Sequence, residues 1–277
     1  MKADREAIRS RQNSRVRALH ALTTRRGRKR RGEVLLVGEK IVRDALDGGV
    51  PLRELYVREA DAEAILAALP GAGGAPLAPF VATLSGRLFE GLGFDSAPRC
   101  LAVAATPEGD LAAVAGPPGS PGAVGLFCGI QDPGNLGTML RSAWFFGLRG
   151  AALTAGTADP YSPKVLRAAI GSVLRRPPVV FGGLEGATKA FAGLGYRPVV
   201  LAAHGGAPLA EAAWPRRSLL MVGSEGKGFE GVALPSDALV LTIEGGAAES
   251  LNAAVAFSVA AWAWSRQRAC GADSLES

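Results

Sequence analysis

The sequence contains few of the residues from which metal centres and disulfide frameworks are built. Its 277 residues include two histidines, His20 and His204, and three cysteines, Cys100, Cys128 and Cys270. The cysteines are odd in number, lie far apart and form no CxxC pair, and the two histidines are isolated. An isolated histidine is more often a surface or capping residue than a metal ligand. We therefore expect neither a structural disulfide nor a bound metal ion.

Long apolar runs and an apolar N-terminus are also missing. The longest weakly polar stretch, Leu251 to Trp264, covers about fourteen residues, whereas a membrane-spanning helix needs roughly 20. The first residues carry alternating charges, as at Lys2, Asp4 and Arg5, and lack the apolar core of a secretory signal. These features predict a buried helix near the C-terminus, no membrane partner and a cytoplasmic protein.

Positive charge is concentrated at the N-terminus. Residues 1–32 hold twelve Lys or Arg against two acidic residues, a balance of +10, so the whole-chain charge of +6 leaves −4 for the remainder. A basic arm on a mildly acidic body is typical of a protein that binds a polyanion. No aromatic residue interrupts this arm, so we expect phosphate affinity with little base recognition. The alternatives are a solvated helix face or a disordered tail. The candidate phosphate-binding residues are Arg25, Arg26, Arg28, Lys29, Arg30 and Arg31.

The length and an apolar fraction of 48% allow two domains with well-filled cores. After the arm, residues 33–106 read as a small α/β domain, and the Pro- and Gly-rich residues 107–122 read as a linker. The predicted elements of this domain are strands Val34 to Val37, Glu54 to Val57 and Cys100 to Ala105, and helices Glu39 to Leu46 and Ala62 to Leu69.

Residues 123–277 alternate between short strands and helices. This alternation predicts an α/β fold in which helices cover both faces of a mostly parallel sheet. The predicted strands are Val124 to Cys128, Ala151 to Thr154, Pro178 to Phe181, Val199 to Ala203, Leu219 to Val222 and Leu239 to Ile243. The predicted helices are Leu136 to Gly147, Pro163 to Val173, Leu184 to Ala192 and a long one from Leu251 towards Arg268.

The first polar loop of this domain, Asp132 to Gly137, follows a buried strand and opens a helix. Asn135 occupies the position predicted to cap that helix. Arg141 lies about 140° around the helix from Leu136, so it points away from the core, and Phe145 shares its face. A guanidinium beside exposed aromatics suits a subunit interface or a nucleotide-binding wall. A plain capping role for Asn135 and an ordinary surface role for Arg141 stay open.

The second and third polar loops also lie beside apolar segments. The three glycines of Gly223 to Gly228 permit close approach of a ligand, although the spacing is not that of a phosphate-binding P-loop. Glu225 could bind a ligand hydroxyl or a basic group, and a simple glycine turn is the alternative. In Glu249 to Asn252 we predict Ser250 as the helix N-cap, with Asn252 in the first turn. Each loop alone is explained by capping or turn chemistry.

Taken in order, these segments resemble the SpoU (TrmH-like) branch of the SPOUT RNA methyltransferases. The resemblance covers Val124 to Arg268, and residues 36–46 are more loosely similar to the family's small substrate-binding domain. It implies S-adenosylmethionine as cofactor, transfer of methyl to a ribose 2'-hydroxyl of RNA, a homodimer, and a deep trefoil knot, which most folds avoid. By this resemblance the catalytic residues are Asn135, Arg141, Glu225, Ser250 and Asn252, and the cofactor-binding residues are Gly223, Ile243 and Leu251.

The family's arginine has been assigned as a general base, but an arginine side chain stays protonated in proteins. We therefore expect Arg141 to anchor the adjacent phosphate and polarise the ribose oxygen, while Ser250 and Asn252 orient the hydroxyl. The chain departs from the family at Thr242-Ile243-Glu244, where Ile-Pro-Met is common. It also departs at Val37, where an acidic residue is common, and at residues 97–100, which usually carry Pro-Gln-Gly.

The leading hypothesis is a 2'-O-methyltransferase of structured RNA, with 23S rRNA favoured over tRNA because a small recognition domain is present. The basic N-terminal residues would then bind RNA. A non-catalytic RNA-binding assembly factor is the second hypothesis. An unrelated nucleotide-dependent α/β enzyme is disfavoured because phosphate-binding fingerprints are missing.

Overall fold

Two sheets organise the chain. The computed structural model describes residues 6–69, 77–94, 98–226, 228–245 and 250–272. It separates into two units, the first comprising Met1–Pro107 with Tyr161–Arg175 and the second comprising Glu108–Pro160 with Arg176–Ser277. The first unit is therefore discontinuous in sequence, because a short stretch that lies between two strands of the second unit packs within it.

Unit 1 contains a five-stranded mixed sheet. Its order is β1-β4-β3-β5-β2, in which β5 runs antiparallel to both neighbours and the other pairs are parallel. The strands are β1 (Glu6–Ile8), β2 (Glu33–Val37), β3 (Leu52–Arg58), β4 (Phe80–Leu84) and β5 (Cys100–Ala105). The helices in its N-terminal segment are α1 (Ser14–Leu22), α2 (Arg25–Arg31), α3 (Glu39–Asp47), α4 (Ala62–Ala68) and α5 (Gly86–Glu90).

The N-terminal residues differ from the predicted arm because they contribute to the core of unit 1. Val16, Leu19 and Leu22 of α1 are buried in the same cluster as Tyr56 and Leu84, and β1 pairs with β4 at the edge of the sheet. Sequence reasoning missed α1 and α2 because the apolar positions of α1 are spaced among arginines, whose charge dominates the segment.

The cations of α2 are divided between solvent and interior. Arg28 is only 5% exposed, and its guanidinium donates a hydrogen bond of 2.8 Å to the Leu22 carbonyl oxygen. We therefore expect that Arg28, contrary to the prediction, does not bind phosphate, since this guanidinium holds α2 against the end of α1. The other cations of the set are exposed, namely Arg25, Arg26, Lys29, Arg30 and Arg31.

Unit 2 contains a seven-stranded sheet of order β10-β12-β9-β11-β6-β7-β8 in which every neighbouring pair is parallel. All residues of β6, β7 and β11 are buried, as expected for strands covered on both faces. The strands are β6 (Gly122–Phe127), β7 (Gly150–Thr154), β8 (Val179–Phe181), β9 (Arg197–Ala202), β10 (Ala207–Pro208), β11 (Arg217–Val222) and β12 (Leu239–Thr242). The helices are α6 (Leu111–Ala115), α7 (Pro133–Phe145), α10 (Leu184–Gly193) and α11 (Ala253–Ala272).

Residues 107–122, predicted as a linker, are held to unit 2 over much of their length. The helix α6 lies within them, and the buried Arg217 donates hydrogen bonds to the carbonyl oxygens of Ala115, Pro117 and Ser120 at 2.8–3.0 Å. The guanidinium also stacks 4.3 Å from the ring centroid of Tyr196. The proline and glycine content predicted a flexible connection. The sequence did not reveal the contacts with Arg217 because Arg217 lies about a hundred residues further along the chain.

The predicted helix over residues 163–173 is interrupted. The structure has α8 (Pro163–Ala168) and α9 (Ser172–Arg175), both in unit 1. Between them Ile170 and Gly171 adopt positive φ angles of 51° and 64°. This conformation is unusual for a β-branched residue and ends the helix. The predicted knot remains a prediction. In the part of the chain that the structure describes, no helix combines the length and apolar character needed to cross a membrane.

Candidate active site

The three polar loops follow strands β6, β11 and β12 of unit 2. Because these strands are parallel, their carboxyl ends lie at the same edge of the sheet. The chain leaves β6 for α7, turns through residues 223–228 after β11, and leaves β12 for α11. Ligand sites of open α/β sheets form at this edge, near the point where the strand order reverses.

The helix α7 is capped by Asp132 and not by Asn135. The carboxylate of Asp132 accepts a hydrogen bond of 2.7 Å from the backbone N–H of Asn135, and Pro133 occupies the first turn. The prediction of Asn135 as N-cap was therefore wrong by three residues. An Asp followed directly by Pro is a signal for a helix start that the sequence already contained. With Asp132 as the cap, the side chain of Asn135 is available for other contacts.

The helix α11 is capped by Asn252 and not by Ser250. The side-chain oxygen Oδ1 of Asn252 accepts hydrogen bonds from the N–H groups of Ala254 at 2.9 Å and Val255 at 3.3 Å. These two bonds fix the orientation of the Asn252 amide, so that its Nδ2 group points the other way and acts as a donor. The helix starts two residues later than predicted, which leaves Ser250 in the loop.

A chain of hydrogen bonds joins all three loops. Nδ2 of Asn252 donates to Oδ1 of Asn135 at 3.0 Å. Nδ2 of Asn135 in turn donates to Oε1 of Glu225 at 3.1 Å. The direction is consistent throughout, because the cap of α11 makes Asn252 a donor and the carboxylate of Glu225 is an acceptor. Three residues predicted from separate motifs thus form one connected group.

The Glu225 carboxylate is a strong anchor for this group. Its oxygens also accept hydrogen bonds from the backbone N–H groups of Gln131 at 3.2 Å and Asp132 at 3.4 Å. Burial acts to raise the pKa of Glu225, but the hydrogen bonds from Asn135 and from backbone amides outweigh it, and the pKa lies below its ordinary value. The group is therefore a carboxylate at neutral pH. The contribution of Gln131 was missed because it is made by a backbone amide.

A cleft of about 1010 Å³ opens beside the hydrogen-bonded group. The predicted cofactor residues Gly223, Ile243 and Leu251 all line it, as do Glu225, Ser250 and Asn252. A side chain at Gly223 would lie 2.2 Å from the carbonyl oxygen of Gly228, so only glycine fits where the loop folds back on itself. Lys227 and Glu249 lie outside the described residues.

Two predicted catalytic residues, Asn135 and Arg141, are not among the described residues that line this cleft. Asn135 is hydrogen-bonded to two lining residues, Glu225 and Asn252, whereas Arg141 has no such link among the described contacts. Arg141 is exposed on α7. Phe145, one turn further along, is 81% exposed. The sequence-based orientation of this face away from the core is confirmed, since Leu136, Leu140 and Ala143 are buried.

Helices α7 and α11 are also joined by a pair of hydroxyl groups that sequence reasoning missed. Ser142 and Ser258 lie 2.7 Å apart between their Oγ atoms. Ser258 donates its own proton to the Ala254 carbonyl oxygen, so Ser142 is the donor between them. No local signal in the sequence indicates this pairing, because the two residues are 116 positions apart. Among the described residues, no group of three or more His, Cys, Asp or Glu is placed to hold a metal ion.

Comparison with known proteins agrees with this site. Residues 124–262, which contain all three loops, match the SpoU rRNA Methylase family. The chain belongs to this family. Residues 13–79 match an MRM3-like substrate binding domain, a range that includes α1 and α2 and so agrees with their place in unit 1.

Relatives of the SpoU family extend the likeness over almost the whole chain. The 23S rRNA (guanosine(2553)-2'-O)-methyltransferase RlmP of Bacillus subtilis is 32% identical over 254 residues, which are 91% of this chain and 96% of that protein. The SpoU methyltransferase AviRb of Streptomyces viridochromogenes, solved with the cofactor AdoMet, is 26% identical with a TM-score of 0.76 over 93% of this chain and 98% of that one. A protein of the TrmH family from Porphyromonas gingivalis is 28% identical with a TM-score of 0.74, covering 92% of this chain and 98% of that one.

The lowered pKa of Glu225 predicts a pH-dependent contribution to stability. The ionised carboxylate stabilises the folded chain above its ordinary pKa, and this contribution is lost as the pH falls through the lower folded-state value. We expect Glu225→Gln to unfold at a lower urea concentration than wild type at pH 7, with a difference that shrinks below about pH 4. Glu211→Gln, at an exposed glutamate, is the control and should show no such difference. A deficit of Glu225→Gln that is independent of pH would contradict the assigned role.

Proposed function

We propose that this chain transfers methyl from S-adenosylmethionine to a ribose 2'-hydroxyl of ribosomal RNA, with 23S rRNA as substrate. The hydrogen-bond chain from Asn252 through Asn135 to Glu225 carries the proposal, because Asn135 joins two family positions that line one cleft. Membership of the SpoU family and the likeness to a 23S rRNA 2'-O-methyltransferase over most of both chains support the same reaction. We infer a cytoplasmic location from this substrate.

The cleft fits a nucleoside cofactor. Its described lining combines apolar side chains, among them Leu234, Val240 and Ile243, with backbone groups of the loops after β11 and β12. A mainly apolar wall with a few fixed polar groups is typical of small-molecule sites. Gly223, Ile243 and Leu251 would hold the cofactor, and S-adenosylmethionine supplies a methyl group activated by a sulfonium.

Positioning is the chemistry that the protein's own residues provide. Asn252 is fixed by two backbone N–H groups and by Asn135, so it can orient a ribose hydroxyl without reorganising. Ser250 lines the cleft two residues before Asn252, and its hydroxyl is a second polar group that can orient the ribose. Glu225 is a poor general base because its oxygens already accept three hydrogen bonds and its pKa is lowered. We assign it the role of holding Asn135 in place.

We propose that Arg141 anchors an RNA phosphate near an interface between two copies of the chain. The helices α7 and α11 pack together and expose large apolar side chains on the described surface of unit 2. Phe145 is 81% exposed, Trp262 53% and Val255 47%. Apolar groups exposed in this number on two packed helices are characteristic of a contact surface, and a second copy covering them would form the homodimer expected from the family resemblance.

The dimer is tested by removing one of these apolar groups. We expect Phe145→Ser to weaken self-association by about tenfold or more in sedimentation velocity, as removal of a large buried aromatic does at interfaces. Val180→Ser is the control, because Val180 is 62% exposed on the edge strand β8. A wild-type monomer at micromolar concentration, or equal association of both variants, would contradict the proposed interface.

Methyl transfer itself is tested with labelled S-adenosylmethionine and RNA. We expect label in ribosomal RNA, and a fall of about 10²-fold or more for Arg141→Ala if it positions the substrate. Arg216→Ala, at an exposed arginine elsewhere in unit 2, should retain full activity. Label in tRNA alone would redirect the substrate assignment. Binding of RNA with neither label transfer nor cofactor uptake in calorimetry would favour a non-catalytic assembly factor.

We further propose that the exposed cations of α2 bind RNA phosphates, whereas Arg28 is structural. Replacing both Lys29 and Arg30 with Gln should weaken RNA binding and lower the magnitude of the slope of log K against log salt by roughly one to two, without changing stability.

Arg28→Met should instead lower the free energy of unfolding by about 1–3 kcal/mol, because the Leu22 carbonyl oxygen loses its donor. Filter binding at several salt concentrations and urea unfolding separate the two effects. Equal loss of RNA affinity and stability in both variants would contradict the division.

A further inference from the structure

The ionisable side chains that line the cleft are mostly acidic. They are Glu225, Glu230, Glu244 and His204, and no Lys or Arg occurs among the described lining residues. This composition contrasts with the chain as a whole, which carries a formal charge of +6. The described lining residues therefore contribute a net negative charge on a basic protein, and clefts focus the field of such charges towards a bound ligand.

Two of these glutamates have no compensating cation among the residues that the structure describes. Carboxylates in unit 1 are commonly paired, as Glu33 is with Arg31 and Arg53 at 2.7 and 2.9 Å. Within the described part of the chain, Glu230 and Glu244 take part in no ion pair, and both are solvent-accessible at the cleft. Their charges thus remain available to a molecule that binds there.

Glu244 lies two residues after a contact that shapes the cleft wall. Thr242 accepts a hydrogen bond of 2.9 Å from the Gly206 N–H, which ties the loop after β9 to β12. Glu244 is exposed and lines the same cleft. Its carboxylate therefore extends from a segment that is anchored on the neighbouring loop.

The proposed cofactor and its product differ in charge. S-adenosylmethionine carries a sulfonium and an ammonium against one carboxylate, and so has one net positive charge. S-adenosylhomocysteine lacks the sulfonium charge and is neutral overall. Their shapes differ by one methyl group. A negative potential in the cleft therefore attracts the cofactor more strongly than the product, because only the cofactor has a net positive charge.

We propose that Glu230 and Glu244 are specificity-determining residues that make the cleft favour the cationic cofactor over its neutral product, so that fresh cofactor outcompetes bound product for the cleft. The inference rests on the proposed function, since it requires the cleft to be the cofactor site. Its physical basis is that each uncompensated carboxylate attracts the sulfonium cofactor by Coulomb interaction, weakened by water, and leaves the affinity for the neutral product nearly unchanged.

The test is calorimetric titration of the full chain with three ligands at low salt. The ligands are S-adenosylmethionine, S-adenosylhomocysteine and sinefungin, in which a protonated amine replaces the sulfonium. We expect Glu230→Gln and Glu244→Gln each to weaken binding of the two cationic ligands by about two- to fivefold, with S-adenosylhomocysteine nearly unaffected. The double variant should show the product of the two factors. Glu211→Gln makes the same charge change outside the cleft and should alter none of the three affinities.

Salt provides a second readout. The preference of wild type for the cationic ligands should fall when ionic strength rises from about 0.01 M to about 1 M, because the screening length falls from roughly 30 Å to roughly 3 Å. The double variant should show a smaller change. Equal weakening of all three ligands, or a cationic preference that the double variant retains in full, would overturn the inference. Failure of wild type to bind any of the three would instead refute the proposed function.

Discussion

The structure of the site depends on one side-chain amide, that of Asn135, which accepts from Asn252 and donates to Glu225. An amide can do both at once because it carries an acceptor and a donor on the same rigid plane. A carboxylate at this position could not donate to Glu225, and a hydroxyl would have to accept and donate through the same oxygen atom. Asn135 thus links the loop after β11 to the start of α11. The backbone amides of Gln131 and Asp132 and the Ser142–Ser258 pair add further links to α7 and its cap.

This arrangement requires the fold to deliver three distant loops to the same edge of the sheet. The order of unit 2 places β6 beside β11, with β9 between β11 and β12, and all of these strands are parallel. The helices that follow are then fixed by their caps, Asp132 for α7 and Asn252 for α11. The cap of α11 has two functions, since the same Asn252 amide that satisfies the helix end also orients the network. Helix stability and site geometry are therefore coupled at this residue.

Much of the fold could be predicted from sequence where the spacing of the apolar residues and the length of the apolar segment indicate the same type of element. The strands β5, β6, β7 and β11 were located to within two residues, because buried strands appear as short apolar runs. Errors occurred where charge or composition concealed structure. The arginines of α1 and α2 concealed a helical pair with a buried face, and the Pro- and Gly-rich residues 107–122 concealed a segment bound by Arg217. In both cases the stabilising partner is remote or internal, and local patterns carry no information about it.

The sequence by itself determined the family, the residue types of the three loops and the orientation of the Arg141 face, since each depends on order and spacing along the chain. Only the tertiary structure decided which residues cap the helices, that Arg28 faces inward while its neighbours face solvent, and that Asn135 connects Asn252 to Glu225. It also decided that Glu230 and Glu244 share a cleft with the proposed cofactor residues. The physical reason is that hydrogen bonds and Coulomb interactions act over a few ångströms in space, and residues about a hundred positions apart reach that distance only when the sheet has assembled.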